Sequence, residues 1–139
     1  MRIIKGYPPN FDAIQAAFTL REGQVFAYYP DIYAPDSYAL SPDLLAHEMT
    51  HLAQQKDYGV EKWWERYLEE PAFRASQEIS AFQNQYQVMK SKVKDRNRLA
   101  RFLVGLAGEL SGETYGKCMS RAEALEAIKS GKRYAFALL

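Results

Sequence analysis

The sequence predicts a mostly helical α+β domain with a small antiparallel β element near its amino terminus. Apolar residues recur at helical spacing through most of the chain beyond residue 41. Explicit starts and stops punctuate those stretches, from Ser41-Pro42-Asp43 to Ser130-Gly131. β-branched and aromatic residues cluster over residues 25–33 instead. The 139 residues, 47% hydrophobic and 25% charged, suit one globular domain with its own core and exclude a disordered or collagen-like chain.

Taken in order, Asn10 after Pro8-Pro9 is a cap for a short helix from Phe11 to about Leu20. Residues 21–24 form a turn. Residues 25–29 and 32–33, parted by Pro30-Asp31, form two short extended pieces. Ser41-Pro42-Asp43 then opens a second helix that runs to about Lys56 and ends before Gly59: serine suits the cap, proline the first turn, and aspartate the dipole. A third helix spans about 60–70, and Pro71 restarts the chain into a fourth that ends near residue 89 or 90. Leu99, Phe102, Leu103, Leu106 and Leu110 mark a fifth, and the capping box Ser120-Arg121-Ala122-Glu123 opens a sixth. The apolar tail over residues 134–139 is suited to covering a core edge or a partner.

The formal net charge of +1 provides no global field to recruit nucleic acid or an anionic membrane. Charge is nonetheless polarised, with −5 over residues 1–89 and +6 over residues 90–139. Lys90, Lys92, Lys94, Arg96, Arg98 and Arg101 crowd together without an aromatic platform or a nucleic-acid motif, so a solvated helix junction is expected and a nucleic-acid partner is not. The single cysteine, Cys118, has no internal disulfide partner. The first ten residues lack a signal-peptide core, and no apolar run approaches the roughly 20 residues of a membrane span, so a cytoplasmic protein is expected.

The chemistry lies in the second helix, at His47-Glu48-Met49-Thr50-His51. Residues four apart on a helix share a face, so both imidazoles can bind one metal ion. Glu48 is turned by roughly 100° from His47, beside the metal, where it can hold and deprotonate a water. These are the chain's only two histidines. Leu45, Met49 and Leu52 are expected to form the core stripe, with Leu44, His47, His51 and Gln55 on the adjoining face. Zinc suits such ligands, and two histidines do not complete its site. The third ligand should be a carboxylate, because position 57, where a third histidine could fall, is Asp57. Glu61, Glu65 and Glu69 form a solvated face with Lys62 and Arg66. Glu78 differs: it sits at the edge of an apolar stripe of Ala75, Ile79, Phe82, Tyr86 and Met89, where a carboxylate is costly unless paired or metal-bound. It is favoured as the third ligand. The other arrangement pairs Glu78 with Arg74 and leaves Glu70 or Asp57 to the metal.

Over roughly residues 25–86 the sequence resembles the compact zincin metallopeptidases that take glutamate as third ligand (gluzincin-like), as in small phage and bacterial metallopeptidase domains. The resemblance rests on the extended segment at 25–33, the HEMTH motif and Glu78-x-x-Ala81. It implies that His47, His51 and Glu78 bind Zn²⁺ and that Glu48 is the general base. It also implies an edge strand at residues 25–29 that holds an extended protein or peptide substrate, and a zinc-dependent endopeptidase activity. The sequence departs from larger members in having no downstream histidine, and in Phe82 where some carry an aspartate that supports the first histidine. Oxyanion stabilisation then falls to zinc alone or to a side chain such as Tyr115, on a Gly-flanked loop, with Tyr33 and Arg74 as competitors. Gln54 and Gln55 either support the site or face water. The alternative function is a non-catalytic, zinc-stabilised binding or regulatory protein that retains the motif.

Overall fold

The computed structural model describes residues 1–36 and 39–131; the apolar tail lies outside them. The elements are β1 (Ile3–Ile4), α1 (Phe11–Ala17), β2 (Phe26–Tyr28), β3 (Asp31–Tyr33), α2 (Pro42–Tyr58), α3 (Val60–Glu69), α4 (Pro71–Lys92), α5 (Arg96–Leu110) and α6 (Arg121–Ser130), with a single 3₁₀ turn at Glu113–Tyr115. The chain is mostly helical with a small sheet, as the sequence predicts.

The sheet has the order β1-β3-β2. The expected antiparallel pair is β2 with β3, aligning Ala27 with Ile32. β1 pairs parallel to β3, so the sheet is mixed rather than purely antiparallel. Two isoleucines at the chain start give no local sign of a strand; their partner is some thirty residues away.

Helix boundaries follow local chemistry with small departures. α1 stops early because Phe18 turns to extended backbone, with its ring 4.8 Å from the Arg74 guanidinium. Asn10 and Ser41 occupy their cap positions, but their side chains accept no helix N–H. Asp95 caps α5, accepting from the Asn97 and Arg98 N–H groups, so this helix begins before Leu99. The capping box of α6 forms in full. Gly59, at φ 98°, is the one residue between α2 and α3, in backbone that side-chain-bearing residues rarely adopt.

α4 is the central element, packing against α2, α3, α5 and α6. Its Ile79 and Phe82 enter a cluster with Leu106, Leu110 and Ile128 from α5 and α6. Its Phe73 enters another with Ile14, Phe26, Trp63 and Trp64. Between these apolar masses α4 meets α2, and the face of α2 buried there is polar: His47, Glu48, His51 and Gln55. The expected core stripe is therefore corrected in part. Leu52 is buried, but Met49 is 49% exposed, because rotation of α2 toward α4 turns it outward.

Candidate metal centre

α2 and α4 bring His47, His51 and Glu78 together. One donor atom from each lies within 4.8 Å of the others, and all three side chains are buried. His47 Nε2 lies 3.2 Å from Glu78 Oε1, and His51 Nε2 lies 3.2 Å from Glu78 Oε2. Two donors on one tetrahedral ion at about 2.1 Å are about 3.4 Å apart, so these two separations are close to what one such ion requires.

The outer nitrogens fix the proton inventory. His47 Nδ1 meets Gln85 Oε1 at 2.9 Å, while Gln85 Nε2 donates to Asp43 Oδ2 at 3.0 Å. His51 Nδ1 meets Gln54 Oε1 at 2.9 Å, while Gln54 Nε2 donates to the Gln77 carbonyl at 3.1 Å. A carboxylate and a carbonyl only accept, so each glutamine must turn its oxygen to the imidazole, and each Nδ1 must carry a proton. In a neutral imidazole the lone pair then sits on Nε2, aimed at the Glu78 oxygens. Lone pairs converging on a carboxylate in a buried site call for a cation between them, either a proton or a metal ion. The donor set thus fits a divalent ion such as Zn²⁺.

Electrostatics agree. Burial works against a charged His51, yet Glu78 outweighs it and lifts the imidazolium to a pKa of about 9. Burial alone would raise Glu78, but His51 and the hydrogen bonds from both imidazoles hold it well below the usual carboxylate range. Tyr67 donates its phenol to Glu78 Oε2 at 2.6 Å. Sequence reasoning missed this role; nothing local links positions 67 and 78. Gln85 was also missed. It lies two turns beyond Glu78 on the same face of α4, a spacing that carries the signal. Gln85, rather than an aspartate at position 82, supports the first histidine. Phe82 packs edge-on against the His47 ring, with centroids 4.5 Å apart.

Glu48 stands beside the triad, buried, and its pKa is raised, chiefly by burial, with Glu78 adding and the histidines opposing. A narrow cleft opens over the site, lined by Glu48, the triad, Phe26, Trp63 and Tyr115 among others. The Tyr115 ring meets Phe82 at 5.7 Å, and burial next to Glu78 and Glu48 raises its phenol well above the ordinary range, so it stays a donor. Arg74 is not placed as a donor to substrate: its Nε bonds the Tyr115 carbonyl at 2.8 Å and its Nη1 the Tyr67 carbonyl at 2.6 Å. It holds the 3₁₀ turn against α3 and leaves Glu78 to the histidines. Glu70 pairs with Arg66 at 2.8 Å on the surface, and Asp57 is exposed; neither joins the cluster. Tyr33 packs in the apolar cluster around Phe26, outside the cleft lining.

Of the two expected readings, Gln54 takes the first and Gln55 takes neither. Gln54 supports His51. Gln55, 1% exposed, instead bridges α2 to the sheet: its Nε2 donates to the Ala27 carbonyl at 2.9 Å, and its Oε1 accepts from the Tyr29 N–H at 2.7 Å. Trp64 Nε1 donates to the same carbonyl. β2 is an edge strand running into the cleft, but these side chains occupy part of its rim.

The basic residues from Lys90 to Arg101 are all exposed at the α4–α5 corner. Burial raises the Cys118 thiol, consistent with an unreactive side chain. Among the described residues no helix is long and apolar enough to cross a membrane. In comparisons with known proteins, the chain matches no family model, no curated protein and no solved structure.

Proposed function

We propose that the chain is a compact zincin-like metallopeptidase of the glutamate-ligand type, holding Zn²⁺ on His47, His51 and Glu78 and cutting internal peptide bonds of a protein or peptide in the cytoplasm. One observation carries the reading: two Nε2 lone pairs and a carboxylate converge in a cleft where a second carboxylate, Glu48, stands free of them. When bound, zinc supplies Lewis acidity, making a water acidic near neutral pH and polarising a carbonyl. Glu48 takes the proton from the attacking water and returns it to the leaving amine; its raised pKa suits it to both transfers. Tyr115 donates to the carbonyl oxygen as negative charge develops there. The uncovered rim of β2 holds the substrate extended. Tyr67, Gln54 and Gln85 keep the ligands in register.

Metal analysis and a digestion assay test this. Wild type is expected to bind one zinc per chain and to cleave a denatured protein. Glu78→Ala should lose most of the zinc, and Glu48→Gln should keep it while losing about 10²-fold or more of the hydrolysis. The deep burial of all three donors favours a second reading, in which zinc braces α2 against α4 in a non-catalytic binding or regulatory protein. That reading stands, and the peptidase falls, if Glu48→Gln retains both zinc and the biological effect.

A further inference from the structure

Beside the site cleft lies a second pocket, half open to solvent, and Gln24 and Phe26 line both. Its walls are aromatic. Tyr7, 58% exposed, sits 4.3 Å from Phe11 between ring centroids, and Phe11 meets Phe26 edge-on at 5.7 Å. Arg21, Glu22 and Asp36 contribute the charges. The Arg21 guanidinium is already paired with Glu109. Asp36 Oδ2 accepts the Gly23 N–H at 3.0 Å, which fixes the carboxylate at the rim, and among the described residues neither Glu22 nor Asp36 has an ion-pair partner. The cavity therefore offers aromatic surface backed by negative charge.

We propose that this cavity is a specificity pocket that takes an arginine or lysine side chain of the bound polypeptide, near the bond to be cut. The inference rests on the peptidase reading and adds its substrate class. Both halves of such a side chain find a match: the methylene stem lies on Tyr7, Phe11 and Phe26, and the cationic head reaches Glu22 and Asp36. An aliphatic side chain would use only the rings, and an acidic one would be repelled. Gln24 and Phe26 line both, so the pocket adjoins the cleft and one extended peptide can reach from one to the other.

The test measures binding by zinc-loaded, full-length Glu48→Gln protein, so that turnover does not enter. Fluorescein-labelled Gly/Ala octapeptides carry a single central Arg, Lys, Leu, Phe or Glu, and their affinity is read by anisotropy. The Arg and Lys peptides are expected to bind at least tenfold more tightly than the Leu and Phe peptides, with Glu weakest. Adding Glu22→Gln and Asp36→Asn, which keeps an acceptor for Gly23, should shrink that advantage to within twofold and leave zinc content and Leu-peptide affinity unchanged. Tightest binding of Leu or Phe, a cation preference that survives the double substitution, or no peptide binding at all would each overturn the pocket. Failure of the peptidase reading shows separately, as absent digestion by wild type alongside a measured cation preference, an outcome that leaves the pocket standing.

Discussion

Replacing Tyr67 with phenylalanine tests the metal centre with little change in packing. The phenol donates to Glu78 Oε2 at 2.6 Å, is buried, and has a pKa raised well above the ordinary range, chiefly by burial, so it is a fixed donor. The other oxygen of Glu78 faces His47, so the phenol sets the carboxylate's rotation toward both imidazoles. A buried hydrogen bond to a charged group contributes about 1.5–3 kcal/mol, and loss of such an outer partner typically weakens metal binding by about 10–100-fold. Tyr67→Phe should therefore raise the zinc Kd by about 10–100-fold, or about 1.4–2.7 kcal/mol, while leaving one zinc per chain at saturation. Competition against a chelating indicator at fixed pH reads this directly. A Kd within twofold of wild type would refute the assigned bond, as would a complete failure to bind zinc at saturation.

Four further outcomes follow from the same geometry. With His51 lifted to about 9 in the metal-free protein, zinc must displace a proton at neutral pH, so apparent affinity should rise about tenfold per pH unit from pH 7 toward 9, and a flat profile would count against it. In chelator, stability to urea should fall toward both low and high pH: the raised pKa of His51 contributes fully below 6.5 and is lost through about 9, the raised pKa of Glu48 adds to the decline above 4.5, and the depressed pKa of Glu78 contributes above 4.5 and is lost as pH falls below it; a flat profile would count against these assignments. Gln55→Leu removes the bonds from α2 to Ala27 and Tyr29 and should cost about 2–4 kcal/mol in urea unfolding; a loss under about 0.5 kcal/mol would show that the bridge carries no stability. Tyr115→Phe should lower kcat about 10²–10³-fold with zinc content unchanged, and an unaltered kcat would remove Tyr115 from the chemistry.

Much of this architecture was legible because helix ends are written locally. Pro42, Pro71 and the Ser120–Glu123 box act within one turn, so their signals survive without tertiary information. The histidine pair and Glu78 were legible for a related reason, since fixed helical spacing and a costly carboxylate beside a core both show in one dimension. What was not legible depends on contacts across the chain. β1 exists only because β3 lies beside it. The outward turn of Met49 follows from α2 burying donors rather than carbon, against the usual rule that the apolar stripe faces inward. Tyr67 reaches Glu78 from another helix, and Gln55 reaches back to a strand, so neither role has a local signature.

The hold that Gln55 and Trp64 keep on the rim of β2 has a further consequence. A bare edge invites other chains to stack and nucleate aggregates, and here two side chains of the same molecule blunt that template beyond Phe26. Only the short stretch entering the cleft is left for a visiting chain. Any guest is thereby confined to a brief β-pairing, which favours quick exchange over lasting capture.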